Sequence, residues 1–443
     1  MTTAVPRVPL DPGDGQPHAV TPAPADDGTR KEAGRLVILD VFRLAAALLV
    51  VAWHFAFEAH VHNGVVLWVA RHGWMGVELF FMISGFVICM SSWGRGLGEF
   101  FVSRVVRLYP AYWFAVLLTT AVVAAWPVHQ RPLDPLAVIG NLTMLQQWLV
   151  GRNVDDSYWT LAVELLFYLM FALVVWRGVT YRRVVTFCVV WTVAAIIAPQ
   201  TGAPWLITLF ASPYAPYFIA GVALYLMHRF GPTVLLWGIL AISYMIALAG
   251  LPALNYFAHV PLPGAAAVIT VFFALMTAAA LGWFRWFQWR IGIVAGSMTY
   301  PLYLIHQSIG LTIIEKARVH SFVPHSVLFL GTVALMLVAA FLIYRLVERP
   351  GQRYLKRALL RSLRAMDQPN AVGSARRGTG SGAPNGTPPR AVEVPVGGPE
   401  PANGADPADH EPPPTGSAGD LDRPPAFGVD LPLPGRHAAA PNS

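Results

Sequence analysis

Asp40-Val-Phe-Arg43-Leu-Ala-Ala-Ala-Leu-Leu-Val-Val-Ala-Trp53-His54-Phe55 sits inside the first long apolar segment of the chain and decides how the rest is read. An ionisable side chain in hydrocarbon is costly, so an arginine and a histidine within one membrane helix point to function. At about 100° per residue, the eleven-residue spacing puts them within about 20° of one helix face and about 16 Å apart along the axis. One face therefore carries a cation at one depth and a titratable base at another.

Working outward, the 443-residue chain is 55% hydrophobic and only 12% charged, with apolar runs long enough to cross a bilayer. The fold class expected is all-α: a polytopic membrane protein with about ten transmembrane helices, at roughly 35–58, 73–93, 108–126, 158–176, 183–199, 204–226, 233–250, 261–281, 292–314 and 324–346. Residues 1–34 are rich in Pro, Gly, Asp and Thr with no apolar core, so they read as a disordered segment rather than a signal peptide, leaving the first helix as the anchor. The membrane domain is expected over 35–355. A basic juxtamembrane segment and a disordered tail, too rich in Pro, Gly, Ala and Asp to bury a core, follow over 356–443.

Lys and Arg cluster before the first span and after the second, fourth, sixth, eighth and tenth, which places both termini in the cytoplasm of a multi-pass cell-membrane protein. Lys316, Arg318, Arg131 and Arg152 are exceptions. The net charge of +7 is explained by these flanks and by anionic lipid, and no nucleic-acid partner is expected. Cys89 and Cys188 lie in apolar runs without disulfide or metal spacing, and no metal site is expected. Within the longest extracytoplasmic connection, about 127–157, Asn141-Leu-Thr143 also fits a glycosylation sequon, a pattern common by chance.

Distance from the span ends sorts the intramembrane polar residues into two layers. Toward the outer side lie His54, Glu78, Glu164 and His306; toward the inner side lie Asp40, Arg43, Arg104, Arg107, Glu348 and Arg349. Two imidazoles and two carboxylates form an inventory for general acid–base chemistry, with His54 the best base. The bland alternatives are an interfacial histidine beside Trp53 and interhelical hydrogen bonds for Glu78, Glu164 and His306. Arg104 and Arg107, one turn apart, can grip phosphate oxygens as a fork or simply anchor the helix end. Arg43 is expected to pair with Asp40, and Glu348 either neutralises part of the arginine cluster or is a surface charge.

These elements in order resemble the acyltransferase family 3 membrane proteins: Arg43 with His54, Gly76-Val-Glu78-Leu-Phe-Phe-Met-Ile-Ser84-Gly85-Phe86, Arg104-Val-Val-Arg107-Leu-Tyr109-Pro110, Tyr158-Trp159 through Glu164 to Phe167-Tyr168, Ser297 through His306, and Val347-Glu348-Arg349-Pro350. The resemblance covers about 35–355. It implies an integral-membrane O-acyltransferase that moves an acyl group, acetyl by default, from cytoplasmic acyl-CoA to a hydroxyl of a carbohydrate, glycolipid or glycosylated metabolite. It also implies that His54 is catalytic and that Arg43, Arg104 and Arg107 handle the donor.

In the expected mechanism His54 deprotonates the acceptor hydroxyl, and Glu164, or else Glu78, orients the imidazole. An acyl-histidine route competes, and Ser84, Trp159 and Tyr303 are candidate oxyanion donors. The rival reading is a proton-coupled transporter or flippase, in which the His and Glu residues relay protons and the arginines hold an anionic head group.

Overall fold

The computed structural model describes residues 36–127, 134–255, 260–320 and 323–367; the expected tails at 1–34 and beyond 367 lie outside the described residues. The described residues form helices and no strands, in the order α1 (Val37–Glu58), α2 (Gly64–Arg71), α3 (Gly76–Ser92), α4 (Leu97–Ala125), α5 (Pro135–Leu142), α6 (Gln146–Leu149), α7 (Trp159–Trp176), α8 (Tyr181–Ile197), α9 (Pro204–Leu209), α10 (Ala215–Phe230), α11 (Val234–Asn255), α12 (Leu262–Ala280), α13 (Arg290–His320), α14 (His325–Ile343) and α15 (Arg349–Asp367). Among them, eight helical stretches are long and apolar enough to cross a membrane. The chain is a multi-pass helical membrane protein.

The expected spans map onto these helices with three differences. The third begins earlier: α4 runs 29 residues from Leu97, so Arg104 and Arg107 are helical residues rather than loop charges. The sixth is broken. Pro204 and Pro216 each open a helix, and between α9 and α10 the chain turns at Ala211, a non-glycine residue at φ 46°. The tenth does not stop at 346. It passes through a π-helical turn, Tyr344–Glu348, and continues as α15 to Asp367. The connection between α4 and α7 carries α5 and α6, and Asn141 within it is wholly buried. Its amide donates to the Ala137 and Arg152 carbonyls and accepts from the Val154 N–H, so the sequon is a structural asparagine rather than a glycan site.

At the centre, α10 is buried along nearly its whole length against α3. Two glycines permit that approach: a β-carbon on Gly85 would land on the Phe218 carbonyl, and one on Gly221 on the Met82 carbonyl. Small residues facing each other let two membrane helices touch backbone to backbone, where dispersion rather than hydrophobicity holds them. The α3–α10 pair, α1 against α13, and α4 against α7 and α13 fix the walls of the site described next.

Candidate active site

A cavity of about 380 Å³ lies among α1, α3, α4, α7 and α13, and the three sequence-predicted arginines, Arg43, Arg104 and Arg107, all line it. Each is held differently. Arg43 Nη1 stands 3.6 Å from Asp40 Oδ1, the expected pair one turn apart on α1. Arg107 Nη1 donates to Glu348 Oε1 at 2.6 Å, and Gln352 donates to the same oxygen at 2.9 Å. Glu348 is therefore the buried counter-ion of the cluster and not a surface charge. Arg104 donates only to hydroxyls, Ser91 Oγ at 3.0 Å and Ser103 Oγ at 3.1 Å, and lies 5.9 Å from the centres of the Phe100 and Tyr168 rings. Among the described residues no carboxylate is ion-paired with Arg104. A guanidinium held by neutral donors and ring faces keeps its charge available to an incoming anion.

The structure places Glu164 with this arginine layer and away from His54. The Ser84 hydroxyl donates to Glu164 Oε1 at 2.5 Å, and both residues line the cavity beside Tyr168. Ser84 lies six residues, about 9 Å, further along α3 than Glu78, and Glu164 shares Ser84's depth rather than Glu78's. Glu78 is apart from both groups. It is buried, its Oε2 has no hydrogen-bond partner among the described residues, and it does not line the cavity. The phenols of Tyr214, Tyr217 and Tyr303 are its electrostatic neighbours. Neither expected carboxylate therefore meets the imidazole of His54.

His306 meets it instead. The two rings are 5.0 Å apart at 66°. His54 Nδ1 is 2.9 Å from the Val50 carbonyl and His306 Nδ1 is 2.6 Å from the Tyr303 carbonyl. A carbonyl only accepts, so both Nδ1 atoms carry the proton and both Nε2 atoms are basic, an assignment inferred from the partners. His306 is fully buried, with Nε2 unpaired among the described residues. Tyr303 separates the imidazoles from the cavity. Its ring lies 5.3 Å from that of His306 and 5.6 Å from that of Phe80, and Tyr303 and Phe80 both line the cavity.

Asp155 belongs to this assembly and was not singled out from sequence. Its Oδ1 accepts from the Ser157 N–H at 2.9 Å and the Ser157 hydroxyl at 2.5 Å, and its Oδ2 accepts from the Ser308 N–H at 2.8 Å. Tyr158 OH donates to the Leu304 carbonyl at 3.1 Å. Ser308 N–H and Leu304 C=O are the two ends of one helical turn, and both are met from outside by the segment leading into α7. That bolts the α7 entrance to α13 beside His306, and Asp155 acts electrostatically on His54. The available signal was Asp155-Asp156-Ser157 directly before Tyr158-Trp159, an Asx-type turn opening a helix.

Among the described residues, no group of three or more His, Cys, Asp or Glu side chains could hold a metal ion. Cys89 and Cys188 are buried and unbridged. The arrangement thus sets a cavity lined by three arginines at one depth and a pair of imidazoles at another, with Tyr303 between them.

Comparison with known proteins finds acyltransferases. Acyltransferase MdmB of Streptomyces mycarofaciens is 25% identical over 370 residues, which cover 73% of this chain and 93% of that protein. Peptidoglycan O-acetyltransferase OatA of Listeria monocytogenes is 28% identical over 153 residues, 30% of this chain and 23% of that protein. O-acetyltransferase OatA of Staphylococcus aureus is 30% identical over 157 residues, 31% of this chain and 24% of that protein. No solved structure matches the chain. A family model described as an acyltransferase domain matches residues 36–345, and with that span the chain belongs to acyltransferase family 3 and is an acyl-transferring enzyme of the membrane.

Proposed function

We propose that this enzyme moves an acyl group, acetyl by default, from acyl-CoA on the cytoplasmic side to a hydroxyl of a carbohydrate, glycolipid or glycosylated metabolite, with His54 as general base. The observation that carries the reading is the cavity in which Arg43, Arg104 and Arg107 converge, one aromatic ring away from the His54–His306 pair. Polyanionic CoA suits the arginines. The thin pantetheine arm suits a passage between helices, and a neutral imidazole suits proton removal from a hydroxyl. The orientation follows from the basic loops, with the arginine end of the cavity cytoplasmic and the termini on the same side.

In the transfer, His54 Nε2 takes the proton of the acceptor hydroxyl as its oxygen bonds to the thioester carbonyl carbon. Collapse of the tetrahedral oxyanion breaks the C–S bond, and CoA leaves as a thiolate that takes up the proton His54 now carries, which returns the imidazole to its neutral form. The Val50 carbonyl, rather than Glu164 or Glu78, orients the imidazole by fixing its tautomer. Glu164 and Ser84 line the path the thioester follows.

Purified protein incubated with radiolabelled acetyl-CoA and a panel of glycans is expected to yield acylated product that H54A fails to make. A protein that binds acetyl-CoA yet acylates no hydroxyl acceptor, while moving a labelled substrate across vesicles, would make the transporter reading correct. A trapped acyl-enzyme with ping-pong kinetics would replace direct attack by an acyl-histidine route.

A further inference from the structure

The membrane span α14 does not end at the membrane. It continues without a break through the π turn Tyr344–Glu348 into α15, whose outward face carries five cations beside Pro350 and Tyr354. Arg349, Arg353, Lys356, Arg357 and Arg361 are exposed, and none is paired with a carboxylate among the described residues. From Arg353 to Arg361 these cations span about 140° of arc. The other face is apolar and taken: Leu363 packs against Gly98 at the start of α4, and Gly351 sits against Pro110 further along it, so α15 lies antiparallel along α4.

The placement relative to the bilayer follows from exposure. The last large aliphatic side chain exposed on the rod is Leu346, at 67%, and beyond it the ring of Tyr354 is exposed at 78%. Arg349 comes about 4.5 Å later along the axis and Arg361 about 18 Å after that. The headgroup layer adds about 5–8 Å to the hydrocarbon on each side, and charges act over about another 8 Å beyond it at physiological salt. Arg349 therefore lies among the headgroups, Arg353, Lys356 and Arg357 lie within about the reach of charge beyond them, and Arg361 stands at the far end, past it.

We infer that the basic face of α15 is a docking surface for anionic phospholipid headgroups, and that their binding steadies the residues holding Arg107. The second half rests on the proposed acyl-CoA function. The same two turns that present Arg349 and Arg353 outward turn Glu348 and Gln352 inward, where Glu348 accepts from Arg107 at 2.6 Å and from Gln352 at 2.9 Å. A lipid phosphate bound outside and the cavity arginine bound inside thus share one rigid segment. Juxtamembrane cations act additively on anionic lipid, each contributing a binding factor of roughly fivefold when near the surface.

The test uses the full chain in dilute nonionic micelles and the fluorescence anisotropy of acyl-labelled phosphatidylglycerol and phosphatidylcholine. At 0.05 M NaCl phosphatidylglycerol is expected to bind at least about tenfold more tightly, a preference that 0.5 M NaCl reduces to about twofold. Combining R353Q, K356Q, R357Q and R361Q should remove the preference, whereas R353K, R357K and R361K together should keep it, which separates charge from misfolding. Equal binding of the two lipids by the parent protein, or an undiminished preference in the glutamine variant, overturns the lipid site. Acetyl-CoA affinity is then compared in nanodiscs with and without phosphatidylglycerol. Tighter donor binding with the anionic lipid supports the coupling, and unchanged donor binding removes it. Failure to bind acetyl-CoA in either would strike the proposed function and leave the lipid site standing.

Discussion

Asp155→Asn changes almost no volume and should nevertheless destabilise the protein. The carboxylate is fully buried and serves donors on both sides, Ser157 N–H at 2.9 Å and Ser157 Oγ at 2.5 Å on one oxygen, and Ser308 N–H at 2.8 Å on the other. An amide has one acceptor oxygen and one NH₂. Whichever way the asparagine flips, it turns an N–H toward a backbone N–H, at Ser308 or at Ser157. The change loses a charge-assisted bond, about 1.5–3 kcal/mol, and strands a buried donor, about 1–3 kcal/mol. Partial re-pairing inside a membrane protein reduces such sums, so about 2–4 kcal/mol is expected. At roughly 2–4 °C per kcal/mol, the apparent melting temperature in detergent should fall by about 4–16 °C. Hydrogen exchange at the Ser308 amide should accelerate as well. A D155N protein that melts within about 2 °C of the parent would show that the bolt between the α7 entrance and α13 is not holding the fold.

Other expectations are briefer. H54A should lose about 10²–10⁴-fold in turnover while acetyl-CoA affinity, measured by calorimetry, stays within about twofold. R104A should weaken acetyl-CoA by about tenfold or more, because the arginine lacking a carboxylate partner is the one whose whole charge meets the donor. G221A should cost about 1–3 kcal/mol in thermal unfolding by forcing α10 off the Met82 carbonyl, whereas G331A, with nothing within 4 Å of the added carbon, should be neutral or slightly stabilising. Cys89 and Cys188, both fully buried, should react with maleimide only after unfolding.

The spans were legible because apolar runs of membrane length have few other readings, and so were local pairs such as Arg43 with Asp40, one turn apart on one helix. Glu348 could be suspected as a counter-ion only because few carboxylates were available to the inner arginines. What could not be read was azimuth. Distance along a span assigns depth but says nothing about which neighbour a side chain faces, so Glu164 was expected beside His54 and is found on Ser84. Asp155 was missed for a related reason: a carboxylate in a connection reads as solvated, and only the packing of α13 over the α7 entrance makes it buried. The α15 helix was present in the sequence as Leu355, Leu359 and Leu363 at four-residue spacing, hidden by the basic residues between them.

The sharper consequence concerns the two layers themselves. Arg43 and His54 share a helix face, yet only Arg43 lines the cavity, because Tyr303 and Phe80 meet edge to face at 5.6 Å where the path would continue. Tyr303 is held there by its hydroxyl, which bonds Thr160 Oγ1 at 2.8 Å and the Ser157 carbonyl at 3.2 Å, while its backbone carbonyl fixes the tautomer of His306. Under the proposed function a thioester must displace one of these two rings to reach His54. Phe80 is held by ring packing, whereas moving Tyr303 breaks two hydrogen bonds, so Phe80 is the ring that yields. F80A should then open the cavity toward the imidazoles and raise the rate at which water, in place of the acceptor, consumes acetyl-CoA. Y303F, which keeps the ring and loses the two bonds, should do so less.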